Sequence, residues 1–276
     1  SLALNLPGPA ALMRLAQMGA SCTKVNPPQG DPMAHYTPEG YETLHKGVKQ
    51  ISCDLKDPKG QKTLHQLLGK TDVLLTSFRP SALNKLGLSW KTLHPQFPKL
   101  SCVSVVGAPG SLAEIPGHDL TYQAEVALVP GMALPASLFA DMGGAIMASE
   151  AILKATISQR ATGKGSFYEV ALSEAAAWLA LPRHWGMTLP NGPVGGAHAG
   201  YKVYACKNGR VAVAALESHF AKSLCDAAGL KSSDAKTMFN PETHQAIALF
   251  FASKTRQQLD KLATDKDIPL MTLVKT

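Results

Sequence analysis

Charge is scarce in this 276-residue chain, at 17% of residues, and aromatic side chains make up only 6%. No apolar run reaches the roughly 18 residues that a membrane span needs, because Pro, Gly or a charge interrupts each one. The five cysteines, Cys22, Cys53, Cys102, Cys206 and Cys225, are odd in number and too widely scattered to spell a zinc knuckle or a redox pair. Reduced thiols and a cytoplasmic location are the expectation. The chain opens at Ser1 without the basic-then-apolar layout of a signal peptide. His-Glu-x-x-His is missing, and none of the nine histidines forms a close pair with a third ligand nearby, so no metal site is expected. Gly-x-Ser-x-Gly, the phosphate loop and Gly-x-Gly-x-x-Gly are also absent, which leaves ATP and nicotinamide chemistry without support. The basic residues are dispersed, with no basic-aromatic alternation, which argues against nucleic-acid binding. With 45% hydrophobic residues at this length, the chain can bury a core of its own, which excludes disorder and a disulfide-stapled miniprotein.

What is present has an alternating rhythm. Short β-rich runs at residues 2–6, 22–25, 50–55, 72–76 and 100–106 are separated by helical stretches at 10–18 and 58–68. Strand, helix, strand at this spacing predicts right-handed crossovers feeding a parallel sheet, an α/β domain of Rossmann-like type. Residues 142–157 read as a long helix whose Gly143, Gly144, Ala145, Ala148 and Ala151 let another backbone approach closely, followed by a basic turn at 159–165. A second Ala-rich helix spans 173–181. Pro190-Asn191-Gly192-Pro193-Val194-Gly195-Gly196 is the best linker. Beyond it, Asn208-Gly209 between two β-rich runs signals a hairpin, and the chain is then expected to be helical to about residue 264. These boundaries give a large domain at 1–184, a linker at 185–199 and a smaller α+β domain at 200–276.

Two segments can carry chemistry. His118, after the Pro116-Gly117 turn, is a residue type that titrates near neutrality and can act as a base. Asp141 follows an apolar run and starts the glycine-rich helix, where a carboxylate is expected to be stabilised as the anion. Singly, each also reads as a turn residue or a helix cap. The formal net charge of +7 points to an anionic partner without naming one.

Taken together, Pro7-Gly8-Pro9, Lys24-Val25-Asn26-Pro27-Pro28-Gln29-Gly30-Asp31-Pro32, Cys53-Asp54-Leu55-Lys56, Phe78-Arg79-Pro80-Ser81, Gly117-His118-Asp119, Ala140-Asp141-Met142-Gly143 and Gly195-Gly196-Ala197 are similar, in order, to family III CoA transferases and α-methylacyl-CoA racemases, the CaiB/BaiF group. The racemase-like members are the nearer match. The resemblance implies a proton-transfer pair, His118 and Asp141, on opposite sides of the substrate's α-carbon. It implies Glu217 as a supporting catalytic residue and Tyr201 as a residue near the substrate. It also implies Lys56, Arg79 and Lys85 along the CoA cleft, with Asp119 and Tyr122 near the pantetheine. The substrate is an acyl-CoA thioester, and no cofactor beyond CoA as its carrier is implied.

In the transferases the matching Asp is a covalent nucleophile and the His is commonly absent, so acyl-CoA racemisation is the expected activity. CoA transfer through Asp141, or CoA binding with little activity, are the alternatives. Several positions depart from the family pattern: Asn26 stands where Glu is usual, Lys85 where Arg is frequent, and His45-Lys46-Gly47-Val48-Lys49 where Arg-Gly-Lys-Arg is more usual. Members form interlocked homodimers and run beyond this length, with a C-terminal return into the large domain. The chain is therefore expected to be trimmed or shortened, with that return missing.

Overall fold

The computed structural model describes residues 1–231, 234 and 236–274, and the chain divides into two units, Ser1–Ala180 and Leu181–Thr276. The first unit runs α1 (Pro7–Gln17), β1 (Thr23–Asn26), α2 (Met33–Tyr36), α3 (Pro38–Leu44), β2 (Lys49–Ser52), α4 (Pro58–Leu68), β3 (Val73–Thr76), α5 (Pro80–Lys85), α6 (Trp90–Gln96), β4 (Ser101–Val106), α7 (Asp119–Glu125), α8 (Phe139–Thr162), β5 (Phe167–Ala171) and α9 (Leu172–Leu179). Proline opens α1, α3, α4 and α5, at a position where its missing N–H would have had no partner. Asp57 caps α4 by accepting from the Lys59 N–H.

Every strand pair in this unit is parallel, as the alternating rhythm predicts: β1 with β2, and β3, β4 and β5 in that order. The opening residues join the two sets. Val25 N–H donates to the Ser1 carbonyl at 2.9 Å, and Leu2 N–H donates to the Leu75 carbonyl at 2.8 Å. The run expected at 2–6 therefore carries strand-type bonds on both sides but is too short to form a regular strand. Asn5, at φ 61°, turns it into α1. All six residues of β4 are buried, as a strand covered on both faces requires.

The long small-residue helix is α8. Its buried Ala145 and Ala148 share a core with Ala10, Ala11 and Leu15 of α1, and a Cβ at Gly144 would stand 2.3 Å from the Leu172 Cδ2 atom of α9. The basic turn expected at 159–165 is corrected by the structure. Gln159, Arg160 and Ala161 are good helix formers and carry α8 on to Thr162, where Gly163 ends it in a left-handed conformation (φ 71°).

The second unit runs α10 (Leu181–His184), β6 (Tyr201–Cys206), β7 (Gly209–Ala214), α11 (Ser218–Ala227), α12 (Pro241–Ala252), α13 (Arg256–Lys266) and β8 (Leu270–Val274). The hairpin forms as expected, with Cys206 paired to Gly209 across Lys207-Asn208. The three helices bury Leu224, Ile247, Phe251 and Leu259 with Val211 and Val213 of β7. Residues 232, 233 and 235 of the stretch expected to be helical lie outside the described residues. The strand β8, antiparallel to β7, was not expected, because a terminal apolar run without alternation gives no period to read. Among the described residues no helix is long and apolar enough to cross a membrane.

Candidate active site

Parallel sheets leave a crevice beyond the carboxyl ends of their strands. Here the chain leaving β3 (Ser77, Phe78, Arg79) and the end of β4 (Val105, Val106, Gly107) line a cavity of about 630 Å3, together with residues 115–120, Tyr122 and Asp141 among others. Arg79, His118, Asp119, Tyr122 and Asp141, quoted from separate stretches of sequence, thus face one space.

His118 ends the loop before α7. The Thr121 hydroxyl accepts from the His118 N–H at 3.1 Å and donates to its carbonyl at 2.7 Å, so the backbone is fixed while the side chain is exposed. The next residue turns inward. Asp119 is buried, and its Oδ1 accepts from the Asp141 N–H at 3.0 Å while its Oδ2 accepts from the Gln123 side-chain amide. Both carboxylate oxygens are therefore engaged within the protein, and the Asp119 carboxylate satisfies one of the free N–H groups of the first turn of α8.

Asp141 sits at the third position of α8, where the helix dipole favours the anion by about 0.3–1 kcal/mol. The expectation of a stabilised anion is nonetheless overturned: the Asp141 carboxyl is pushed up from 3.8 to about 6, by burial first and by the charge of Asp119 second. That rise corresponds to about 3 kcal/mol, which outweighs the dipole.

Tyr122 is wedged into a notch between two glycines. A Cβ at Gly107 would meet its hydroxyl at 2.1 Å, and one at Gly117 would meet the hydroxyl at 2.4 Å and the ring at 2.7 and 2.8 Å. The glycine of Gly117-His118-Asp119 is thus required by close approach of an aromatic ring. Burial raises the proton affinity of the phenol, with Asp141 adding to it.

Sequence reasoning missed the opposite rim. Tyr36 lines the cavity, and its hydroxyl donates to Asn5 Oδ1 at 3.5 Å. Asn5, also in the lining, is held by Asp31, which accepts from its N–H with both oxygens at 3.1 and 3.2 Å. Asp31 is in turn ion-paired with the fully buried Lys24, whose ammonium lies 3.0 Å from His45 Nε2. Burial lowers the proton affinity of His45, so its neutral Nε2 accepts from Lys24 while Nδ1 donates to the Tyr41 carbonyl at 2.7 Å. No local pattern marks this network, because a Lys and an Asp seven residues apart read the same whether buried or exposed.

The other candidates are placed elsewhere. Lys56, in the turn after β2, and Lys85, in the last turn of α5, are exposed and outside the lining. Glu217 and Tyr201 belong to the second unit. Glu217 is exposed at the start of α11, and Tyr201 lines an apolar depression of about 1000 Å3 with Val203 and Met271, in which no carboxylate or imidazole takes part.

The model of CoA-transferase family III matches residues 1–276. The chain belongs to CoA-transferase family III. The human α-methylacyl-CoA racemase is 30% identical over 274 residues, covering 91% of this chain and 70% of that protein. Cinnamoyl-CoA:phenyllactate CoA-transferase of Clostridium sporogenes is 36% identical over 133 residues, 44% of this chain and 32% of that protein. The crystal structure of a hypothetical protein from Mycobacterium tuberculosis superposes with a TM-score of 0.83 at 21% identity, covering all of this chain and 90% of that one. Its likeness shows the fold.

Two expectations follow for this family III protein. Gly107→Ala and Gly117→Ala each overpack the notch and should cost about 1–3 kcal/mol in urea unfolding. Tyr122→Phe, which removes only the hydroxyl, should restore most of the loss at Gly107 and little at Gly117, where the ring itself is the obstacle. Equal rescue at both sites would contradict this packing. For Asp141, the carboxyl titrates at about 6 in the folded protein and 3.8 unfolded, so its cost to stability is absent below about pH 4, grows between pH 4 and 6 and is constant above. Asp141→Asn removes that cost. The variant should match the unaltered protein near pH 4 and exceed it by up to about 3 kcal/mol at pH 8. A difference that does not change with pH would show that Asp141 is ionised in the folded state as readily as in water.

Proposed function

We propose that this family III protein is an acyl-CoA racemase or epimerase, inverting the α-carbon of a 2-methylacyl-CoA thioester through an enolate. The observation that carries this reading is the Asp141 carboxyl, raised to about 6, sharing one cavity with the exposed imidazole of His118. An α-proton beside a thioester is weakly acidic. One base takes it, the C–H electron pair moves into the carbonyl to give the enolate, and a second group returns a proton to the other face. A carboxyl that titrates near the working pH can both take and return a proton. The 2-methylacyl chain suits the apolar lining supplied by Leu4, Leu6, Phe78, Val106 and Leu138.

The second reading is CoA transfer, in which the Asp141 carboxylate attacks the thioester carbonyl, forms a mixed anhydride and releases the CoA thiolate. It is favoured by the transferases among the relatives. Against it stands the charge inventory of the cavity: among the described residues Arg79 is the one lysine or arginine in the lining, whereas a transferase has both CoA and an acid acceptor to hold. In the proposed reaction Arg79 binds a CoA phosphate, and Glu217 and Tyr201 take the supporting parts that the family pattern gives them. The protein would act as a homodimer in a reducing, cytoplasmic setting, to which exposed apolar residues such as Val203 and Met271 and five free cysteines are suited.

Deuterium incorporation at the α-carbon of each 2-methylacyl-CoA epimer in heavy water, followed by mass spectrometry, tests the assignment. His118→Ala should slow exchange from one epimer about 10²–10⁴-fold and Asp141→Ala should do so for the other. If acyl transfer survives His118→Ala within a small factor and only Asp141→Ala abolishes it, the transferase reading replaces the racemase. Arg79→Ala should weaken CoA binding by about 1.5–3 kcal/mol in calorimetry, the range for a hydrogen bond to a charged group. Unchanged affinity would remove Arg79 from the CoA site.

A further inference from the structure

The loop that presents His118 and the turn that presents Arg79 leave the sheet from different strands, and one exposed carboxylate ties them together. After β4 the chain makes a tight helical turn at Gly110–Glu114, then runs through Ile115, Pro116 and Gly117 to His118. Glu114 reaches across to the start of α5, two residues beyond Arg79. Its Oε1 accepts from the Ser81 N–H at 2.7 Å and its Oε2 from the Ser81 hydroxyl at 2.8 Å. The other end of the same turn is anchored too, since Gly110 N–H donates to Glu169 Oε1 of β5 at 2.8 Å. Only three residues separate Glu114 from His118, and one of them is a proline with fixed φ, so little slack remains between the clasp and the imidazole.

We propose that Glu114 is a positioning residue for the reaction, clasping Ser81 so that the loop bearing His118 is held at a fixed place beside the turn bearing Arg79. The inference rests on the racemase reading above. The two Ser81 donors hold the Glu114 carboxyl below the usual carboxylate range, and Arg79 and Lys85 add to this. Glu114 lies outside the cavity lining, and its effect on chemistry therefore passes through the loop.

Glu114→Ala and Glu114→Gln separate this role from charge and from stability. Glutamine keeps an acceptor for the Ser81 N–H and can pair with the hydroxyl, whereas alanine loses both bonds. In Glu114→Ala, amide hydrogen exchange at residues 110–118 should quicken at least about tenfold, and kcat for α-deuteration should fall about 10–100-fold with KM within about threefold, because misplacement of about 1 Å costs that much. Glu114→Gln should stay within about threefold of the unaltered protein in each measurement, and the melting temperatures of both variants should stay close to that of the unaltered protein. If both variants bind CoA more tightly by the same factor and deuterate at the unaltered rate, Glu114 acts only as a charge near Arg79, and the proposal fails. If the loop loosens in Glu114→Ala but kcat holds, it fails as well. If the unaltered protein deuterates neither epimer, the racemase reading falls by itself, and amide exchange in Glu114→Ala still decides whether the clasp holds the loop.

Discussion

The buried carboxylate of Asp119 is the constraint on which the site depends. It accepts from the Asp141 N–H, and that bond fixes the first turn of α8 against α7. The same charge, with burial, raises the proton affinity of the Asp141 carboxyl. One group therefore fixes the position of this cavity-lining residue and adds to the rise that burial causes in its proton affinity. A neutral side chain at 119 could keep the cap or pack the space, but it would not supply the charge. The cost is real, since a carboxyl displaced to about 6 weighs on stability at neutral pH. Strained electrostatics of this kind cluster where chemistry is done.

The rest of the fold arranges for that small region to be rigid. The fully buried β4 delivers the Val105-Val106-Gly107 end of the cavity, and Tyr122 packs in the notch between Gly107 and Gly117. On the opposite rim, the Lys24–Asp31 pair fixes Asn5 in a left-handed conformation that turns the opening segment into α1. A buried ion pair is a poor source of net stability, because desolvation offsets most of the attraction. Its use here is geometric, since Asp31 is a charged acceptor that two backbone N–H groups, of Asn5 and Met33, can share.

Much of this was legible in the sequence, for physical reasons that differ from residue to residue. The parallel architecture followed from the alternation of β-rich and helical runs, and the close packing of α8 from its glycines and alanines, because both are local patterns with a fixed period. His118 and Asp141 stood out by residue type and neighbours, and Arg79 by the resemblance of its string to the family; all three line one cavity. What stayed hidden depends on contacts distant in the chain. The proton affinity of Asp141 was misjudged because a helix N-terminus is visible locally, whereas Asp119 stands 22 positions away and burial cannot be read from one element. Tyr36 and Glu114 carried no signal, being an exposed tyrosine and an exposed acid that matter only through what folding brings beside them.

These observations also bear on how one fold can serve two chemistries. Transferase and racemase readings share the carboxylate of Asp141, the cavity beyond β3 and β4 and the cation at Arg79, so the fold alone does not choose between them. A nucleophile needs the anion, and at neutral pH a carboxyl near 6 still supplies it. A proton shuttle needs both forms, and the same value supplies those as well. The choice therefore falls to the residues around the carboxyl. An exposed imidazole among apolar lining residues favours moving a proton, whereas extra cations for an acid acceptor would favour moving CoA. Among the described residues the lining supplies the imidazole and a single guanidinium.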